Sequence, residues 1–292
     1  MTLQFIINHP LNRHRKIQAI AGFIRWQIAS RIVPGKIVFE WINGAKVVVG
    51  RGESGFTGNI YSGLHDFADM AYVLHTLTPQ DLFIDVGANI GSYTILACAV
   101  RGARGYCFEP VPSTYIRLVD NLNINGLGSR VKMLNIGIAD KDGELRFTSG
   151  EDSTNHILAR EEMVTDTISV KVFTLDSILA DEVPTVMKID VEGFELPVLN
   201  GGHKVFSNKT LHSVIMELNG SGERYGFDEN SILQKMSMFG FNTYSYNPFN
   251  RSLMPLKGKS STSGNTLFIR DETKVKERLS KTPKVSINNR LL

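Results

Sequence analysis

One stretch limits this chain more than any other: Leu82-Phe83-Ile84-Asp85-Val86-Gly87-Ala88-Asn89-Ile90-Gly91-Ser92-Tyr93-Thr94. Leu82 to Val86 is a short apolar run with β-branched residues, the pattern of a strand buried on both faces. Gly87 to Gly91 reads as a tight turn. Ser92 to Arg101 is apolar and helix-compatible, which puts a helix start near Gly91. A strand, a glycine-rich turn and a helix in that order form the ligand-binding corner of a doubly wound α/β fold. Glycines let a ligand approach the backbone, and the helix start offers unpaired N–H groups.

The details argue against a phosphate ligand. A dinucleotide fingerprint reads G-x-G-x-x-G; here Asn89 stands at the middle glycine and the third glycine is absent. A Walker-type loop needs Gly-Lys-Ser/Thr, and the turn has no lysine. Instead Asp85 ends the strand, ahead of G-x-N-x-G. A carboxylate there suits a cationic amine. S-adenosylmethionine carries such an amine and a positive sulfonium. A second strand, Gly105 to Phe108, ends in Glu109-Pro110. Glu109 lies roughly 20 residues past the turn, where an acidic side chain can accept both ribose hydroxyls. Val186 to Ile189 is a further strand, followed by the acidic run Asp190-Val191-Glu192-Gly193-Phe194-Glu195.

Together these residues resemble the FkbM-type family of S-adenosylmethionine-dependent methyltransferases. The resemblance is carried by Asp85 to Thr94, Phe108 to Pro112, Lys188 to Glu195 and, upstream, Asn59 to Gly63. It runs from about Gly55 to about Tyr246. It implies an α/β, Rossmann-like class I methyltransferase fold with a seven-stranded, mostly parallel sheet and helices on both faces. It also implies O-methylation of a hydroxyl, with S-adenosyl-L-methionine as cofactor. The expected acceptor is a small molecule or glycan, since members are associated with natural products, glycans and lipid-linked sugars. Candidate cofactor contacts are Tyr61, Asp85, Gly87, Ala88, Asn89, Gly91, Ser92, Tyr93, Thr94, Glu109, Pro110, Gly137 and Asp190.

An alcohol is a poor nucleophile at neutral pH, so a base should take its proton during attack. Asp190 and Glu192 are the candidates. Lys188, a charge within an apolar strand, and His156 are candidates to assist. Glu217, near the end of another strand, is a further cleft candidate. The alternative is that alignment and desolvation suffice. No His/Cys spacing supports a metal, and none is expected.

The remainder sets the organisation. With 292 residues, a formal charge of +3 and 42% hydrophobic residues, the chain suits one large α/β domain with appendages. Residues 1–54 read as a basic amphipathic helix and a hairpin, 55–270 as the methyltransferase domain, and 271–292 as a polar, frayed tail. The small charge gives no argument for nucleic acid. Cys98 and Cys107 read as small buried residues of a reducing compartment, and no signal or spanning segment is seen, so a cytoplasmic location is expected.

Within Leu11–Ile32, residues Ile17, Ile20, Ala21, Ile24, Ile28 and Ile32 share one helical face. Arg13, Arg15, Lys16, Arg25 and Arg31 add charge, with no acidic residue among them. The expectation is that this face packs on its own domain or on a second subunit, giving a homo-oligomer. The competing reading is peripheral contact with an anionic membrane. Lys36 to Val49 reads as a hairpin about Asn43-Gly44, and Arg51 to Gly63 as a loop. Gly150 to Asp166 reads as a mobile segment over the site, carrying His156. Tyr225, Phe227, Tyr244 and Tyr246 are candidates to stack on a sugar ring. Two other function classes stay open. A nicotinamide-dependent oxidoreductase is disfavoured by Asn89 and the acidic run. A noncatalytic cofactor-binding module in glycan assembly is disfavoured by the intact Asp85, Glu109 and Asp190.

Overall fold

The computed structural model describes residues 3–50, 54–149, 155–159, 162 and 166–292. At the N-terminal end α1 (Leu3–Asn8) precedes α2 (Lys16–Ile32). The orientation of α2 overturns one part of the expectation: the isoleucine face does not pack on its own domain. Its inner face is Ala19, Phe23 and Trp26. The Phe23 ring meets Tyr61 edge-on at 5.1 Å, and Gln27 donates to the Tyr61 hydroxyl at 2.9 Å. The isoleucine face points outward, with Ile17 82% and Ile32 73% exposed. The helix is apolar on both sides, and the larger aromatic groups take the interior.

β1 (Ile37–Glu40) and β2 (Lys46–Val49) pair antiparallel. Asn43 and Gly44 both take positive φ, 50° and 79°, at the centre of the turn that Ala45 closes by donating to the Ile42 carbonyl at 3.0 Å. Residues predicted as a loop form α3 (Ser54–Ser62) instead. Phe56 is fully buried against Trp41, ring centroids 4.9 Å apart, and this tertiary contact outweighs the weak helix propensity of a glycine-rich segment. Next comes α4 (Phe67–Thr76).

The sheet begins with β3 (Leu82–Val86), α5 (Ser92–Ile95, extended by a π-helical turn), β4 (Arg104–Phe108), α6 (Pro112–Ile124) and β5 (Val131–Leu134). Asn121 of α6 and Asn125 at its C-terminal cap hold the edge of β2, accepting from the Val48 and Lys46 N–H groups at 2.7 and 2.8 Å. β6 (Gly137–Ile138), β7 (Gly143–Thr148) and β8 (Thr167–Phe173) form a separate sheet, with β7 and β8 antiparallel. The chain continues through α7 (Leu175–Leu179), β9 (Val186–Ile189), α8 (Glu195–Asn200), α9 (His203–Ser207) and β10 (Ser213–Glu217). It then forms α10 (Glu229–Met238), β11 (Asn242–Asn247), β12 (Ser252–Pro255) and β13 (Asn265–Ile269).

The main sheet runs β12-β11-β13-β10-β9-β3-β4-β5. Its members from β10 to β5 are parallel, and β13, β11 and β12 are antiparallel. Seven of these match the seven-stranded, mostly parallel sheet expected from the sequence; β12 adds an eighth at the edge. Alternate residues of β3 enter different apolar layers: Phe83 joins one, and Leu82, Ile84 and Val86 the other. Cys98 and Cys107 are free and buried.

The last residues are not frayed. α11 (Glu272–Lys281) and the hairpin of β14 (Ser286–Ile287) with β15 (Arg290–Leu291) pack back on the domain. Val275, Leu279, Val285, Ile287 and Leu292 are buried, and Arg278 pairs with Asp81 at 2.8 Å. The polar composition hides the i, i+4 pair Val275 and Leu279.

Candidate active site

The strand order reverses between β3 and β9, the point at which open α/β sheets bind ligands beyond their carboxyl ends. The two strand ends meet closely there. The Asp190 N–H donates to the Val86 carbonyl at 2.9 Å. A Cβ on Gly87 would lie 1.8 Å from the Asp190 carbonyl oxygen, and Gly87 sits at φ +80°. Only glycine fits. Beyond this join opens a cleft of about 320 Å³, of the size that takes a small ligand.

One half of the cleft is built on β3 and β4. Asp85, Gly87, Ala88, Asn89, Ser92, Tyr93, Glu109, Pro110 and Gly137 line it. Asp85 is buried, and its Oδ2 accepts from the Thr94 hydroxyl at 2.6 Å. Burial pushes its carboxyl up to about 6, against the pull of Thr94 and Lys188. Glu109 accepts the Asn89 N–H on Oε2 and the Val111 N–H on Oε1, each at 3.0 Å. Burial still raises it to about 7. Asn89 reaches Glu109 from a left-handed backbone, φ 51°, which asparagine tolerates better than most residues.

The other half lies on β9 and β10, where Lys188, Asp190, Glu192 and Glu217 line the cleft. The Lys188 ammonium donates to Asp190 Oδ2 and to Asn265 Oδ1, both at 2.9 Å. Asn265 in turn donates to Asp69 Oδ2 at 3.2 Å. Burial works to raise the Asp190 carboxyl, but the Lys188 charge and hydrogen bonds from Glu217 and Lys188 together hold Asp190 below its ordinary range. Glu217 goes the other way: burial and then the Asp190 charge raise it to about 9. Glu192, at φ 53°, is raised to about 7, by burial first and Asp190 second. Adjacent carboxyls cannot all ionise, so their affinities for protons are driven apart. Ligand oxygens of Asp190, Glu192 and Glu217 lie within 4.8 Å of one another. That set could hold a divalent cation as well as handle protons.

The structure separates several sequence candidates from the cleft. Tyr61 packs against Phe23 and Gln27, facing α2. Asn59, two residues earlier, lines the cleft instead, because two positions on a helix point to opposite sides. Gly91 takes φ +92° to start α5, and a Cβ there would meet Leu118 at 2.7 Å. Thr94 stands behind Asp85. The His156 ring does not line the cleft among the described residues; its Nε2 lies 2.9 Å from Glu162 Oε1. Glu195 is also turned away. Its Oε1 accepts from the Gly193 and Val191 N–H groups at 3.2 and 3.3 Å, holding the turn after β9.

Of the segment predicted to cover the site, Asn155 and Ile157 do line the cleft; residues 150–154, 160–161 and 163–165 lie outside the described residues. Tyr225 anchors that segment through its hydroxyl to the Ile157 carbonyl at 2.6 Å. Tyr244 and Tyr246 bond Glu272 and His75. These tyrosines are absent from the cleft lining, as is Phe227. Sequence reasoning missed Asp69 and Asn265, the far partners of Lys188. A lone acid inside the apolar run of α4 was the available signal for Asp69.

The methyltransferase FkbM domain family matches residues 85–243. The hexuronic acid methyltransferase AglP of Haloferax volcanii is 30% identical over 151 residues, covering 50% of this chain and 59% of that protein. Methyltransferase 1 of Beauveria bassiana is 28% identical over 160 residues, 46% of this chain and 64% of that one. The 31-O-demethyl-FK506 methyltransferase FkbM of Streptomyces tacrolimicus is 34% identical over 116 residues, 38% of this chain and 42% of that one. The chain thus spans less than two thirds of the length of each of these relatives.

Proposed function

Because the chain belongs to the FkbM methyltransferase family, whose cofactor is S-adenosylmethionine, we propose that it methylates a hydroxyl of a sugar or natural-product acceptor. The observation that carries this reading is one cleft with two acidic groups. Asp85 and Glu109 line one half, and Asp190, Glu192 and Glu217 the other.

The first group fits the cofactor. Both carboxyls are buried and raised, so a cationic ligand would favour their ionised forms. Each Glu109 oxygen accepts a single backbone N–H, which leaves lone pairs for hydroxyl donors such as those of a ribose. Gly87 lets the two strand ends meet closely at the base of the cleft. When bound, S-adenosylmethionine supplies a methyl carbon on a positively charged sulfur, already a good leaving group.

The second group handles the acceptor. Glu192 stays out of the Lys188 pair and, raised to about 7, is divided between its ionised and protonated forms at neutral pH; the ionised form can take the acceptor's hydroxyl proton during attack. Lys188 keeps Asp190 ionised and fixed, and Asp190 accepts a hydrogen bond that orients the acceptor. Glu217 is protonated at neutral pH and so can donate. Asn155 and Ile157 help exclude water.

The test is methyl transfer from labelled S-adenosylmethionine to a panel of hexuronic acids, neutral sugars and hydroxylated polyketides. Label on an acceptor oxygen, located by mass spectrometry and NMR, is the expected result. Label on nitrogen or carbon acceptors alone would overturn the hydroxyl assignment.

A further inference from the structure

The outward face of α2 is unlike the rest of the surface. Ile17, Ile24, Ile28 and Ile32 are 82%, 50%, 53% and 73% exposed. They span about 22 Å at 1.5 Å per residue. This is not a helix that has failed to dock. Ala19 and Trp26 are buried on its opposite side, and Gln27 is bonded to Tyr61. The isoleucines are held outward by the packing of the inner face.

Charge identifies what such a face meets. Residues 1–39 contain six Lys and Arg and no Asp or Glu; the remaining chain holds 26 Lys and Arg against 29 Asp and Glu, a net of −3. The whole positive excess therefore sits on this segment. At 100° per residue, Arg25 and Arg31 fall on either side of the isoleucine row, and both are exposed. Arg31 is held there by Gln27, which accepts from it through both its side chain and its carbonyl. Arg13, His14 and Lys16 are exposed at the N-terminal end. An apolar row with cations at its margins matches an anionic bilayer, where isoleucines enter the acyl boundary and guanidinium groups meet headgroup phosphates. A second copy packed face to face would set these cations against one another, with no acid in the segment to pair them. Among the described residues no helix is long and apolar enough to cross a membrane, so contact would be along the surface.

We infer that α2 docks this protein on an anionic lipid surface through Ile17, Ile24, Ile28 and Ile32, with Arg25 and Arg31 at the headgroups. The docked surface is tied to the cleft wall. Asn12, between α1 and α2, donates to the Tyr61 carbonyl of α3 at 3.0 Å, and Gly55 and Asn59 of α3 line the cleft.

The test is co-sedimentation of the full chain with vesicles. One set is pure phosphatidylcholine; the other is seven parts phosphatidylcholine to three parts phosphatidylglycerol. Wild type is expected to pellet with the anionic vesicles about tenfold more than with the neutral ones. Ile24→Ser/Ile28→Ser and Arg25→Gln/Arg31→Gln are each expected to reduce pelleting by about tenfold, with unchanged melting because all four side chains are exposed. Equal pelleting by wild type and Ile24→Ser/Ile28→Ser, or no pelleting of wild type, would overturn the inference. A wild-type dimer in analytical ultracentrifugation that Ile24→Ser/Ile28→Ser dissociates, without vesicle binding, would assign the face to a second copy.

Discussion

The two halves of the cleft use the same residue types and hold them differently. On β3 and β4 each carboxylate is tied to its own surroundings, Asp85 to Thr94 and Glu109 to two backbone N–H groups. On β9 and β10 the acids are tied to one another through charge. Asp190 is fixed by Lys188, and Glu192 and Glu217 are raised in part by Asp190. The first arrangement presets one geometry and suits a constant ligand. The second sets proton affinities, which suits chemistry on a varied acceptor. Binding and catalysis should therefore be separable by mutation.

The largest effect should come where the halves join. Gly87→Ala places a Cβ 1.8 Å from the Asp190 carbonyl oxygen. We expect a loss of about 4 kcal/mol or more in chemical denaturation, with cofactor binding and turnover lost together. A stable variant impaired in one half alone would break the idea of a rigid join.

Next is the acceptor half. Glu192→Gln should lower kcat by about 100- to 10,000-fold and leave the calorimetric Kd for S-adenosylmethionine within about twofold of wild type. Near wild-type kcat would show that alignment suffices without this base. The cofactor half should give the converse. Glu109→Ala should weaken cofactor binding on the order of 10- to 100-fold, the value of a lost charged hydrogen bond. Cofactor affinity unchanged in that variant would remove Glu109 from the site.

Protons sharpen the comparison further. Asp85 and Glu109 have carboxyls raised to about 6 and about 7. A cationic ligand favours their ionised forms, so binding releases protons, and affinity should rise by at least about tenfold from pH 5 to pH 7. Without ligand the sign reverses for stability. Below the ordinary carboxylate range these groups are protonated in both folded and unfolded chains. Between there and pH 7 the folded state binds more protons, so stability falls as pH rises through that window. Flat melting temperatures from pH 5 to pH 8 would contradict this. The smallest effect belongs to His156→Ala. Its ring is engaged by Glu162, and kcat should change by less than about threefold; a loss like that of Glu192→Gln would restore the histidine as a base.

How much of this was legible beforehand varies by residue. Asp85, Glu109 and Asp190 were visible because each closes or follows an apolar strand, and strand ends face the ligand side of such a sheet. Glu192 and Glu195 looked alike in one acidic run. One lines the cleft, and the other is folded back on the turn by two backbone N–H groups. Tyr61 was misplaced with its loop, since α3 owes its helix to the burial of Phe56. The tail was misread because its polar composition hides its few buried apolar positions.

The sequence by itself determined the strand-turn-helix corner, the positions of the core strands along the chain and the acids at their ends. Those follow from local apolar runs and from the left-handed turn that glycine permits. Tertiary structure alone decided the rest. Asp190 and Glu217 meet because β9 and β10 are parallel neighbours, and Lys188 reaches Asn265 only across the antiparallel edge. The outward isoleucines of α2 have the same kind of cause. Periodicity identifies which residues share a face, but which face meets solvent is set by the partner the helix finds. Here Phe23 and Trp26 fill the interior more completely than the isoleucines opposite.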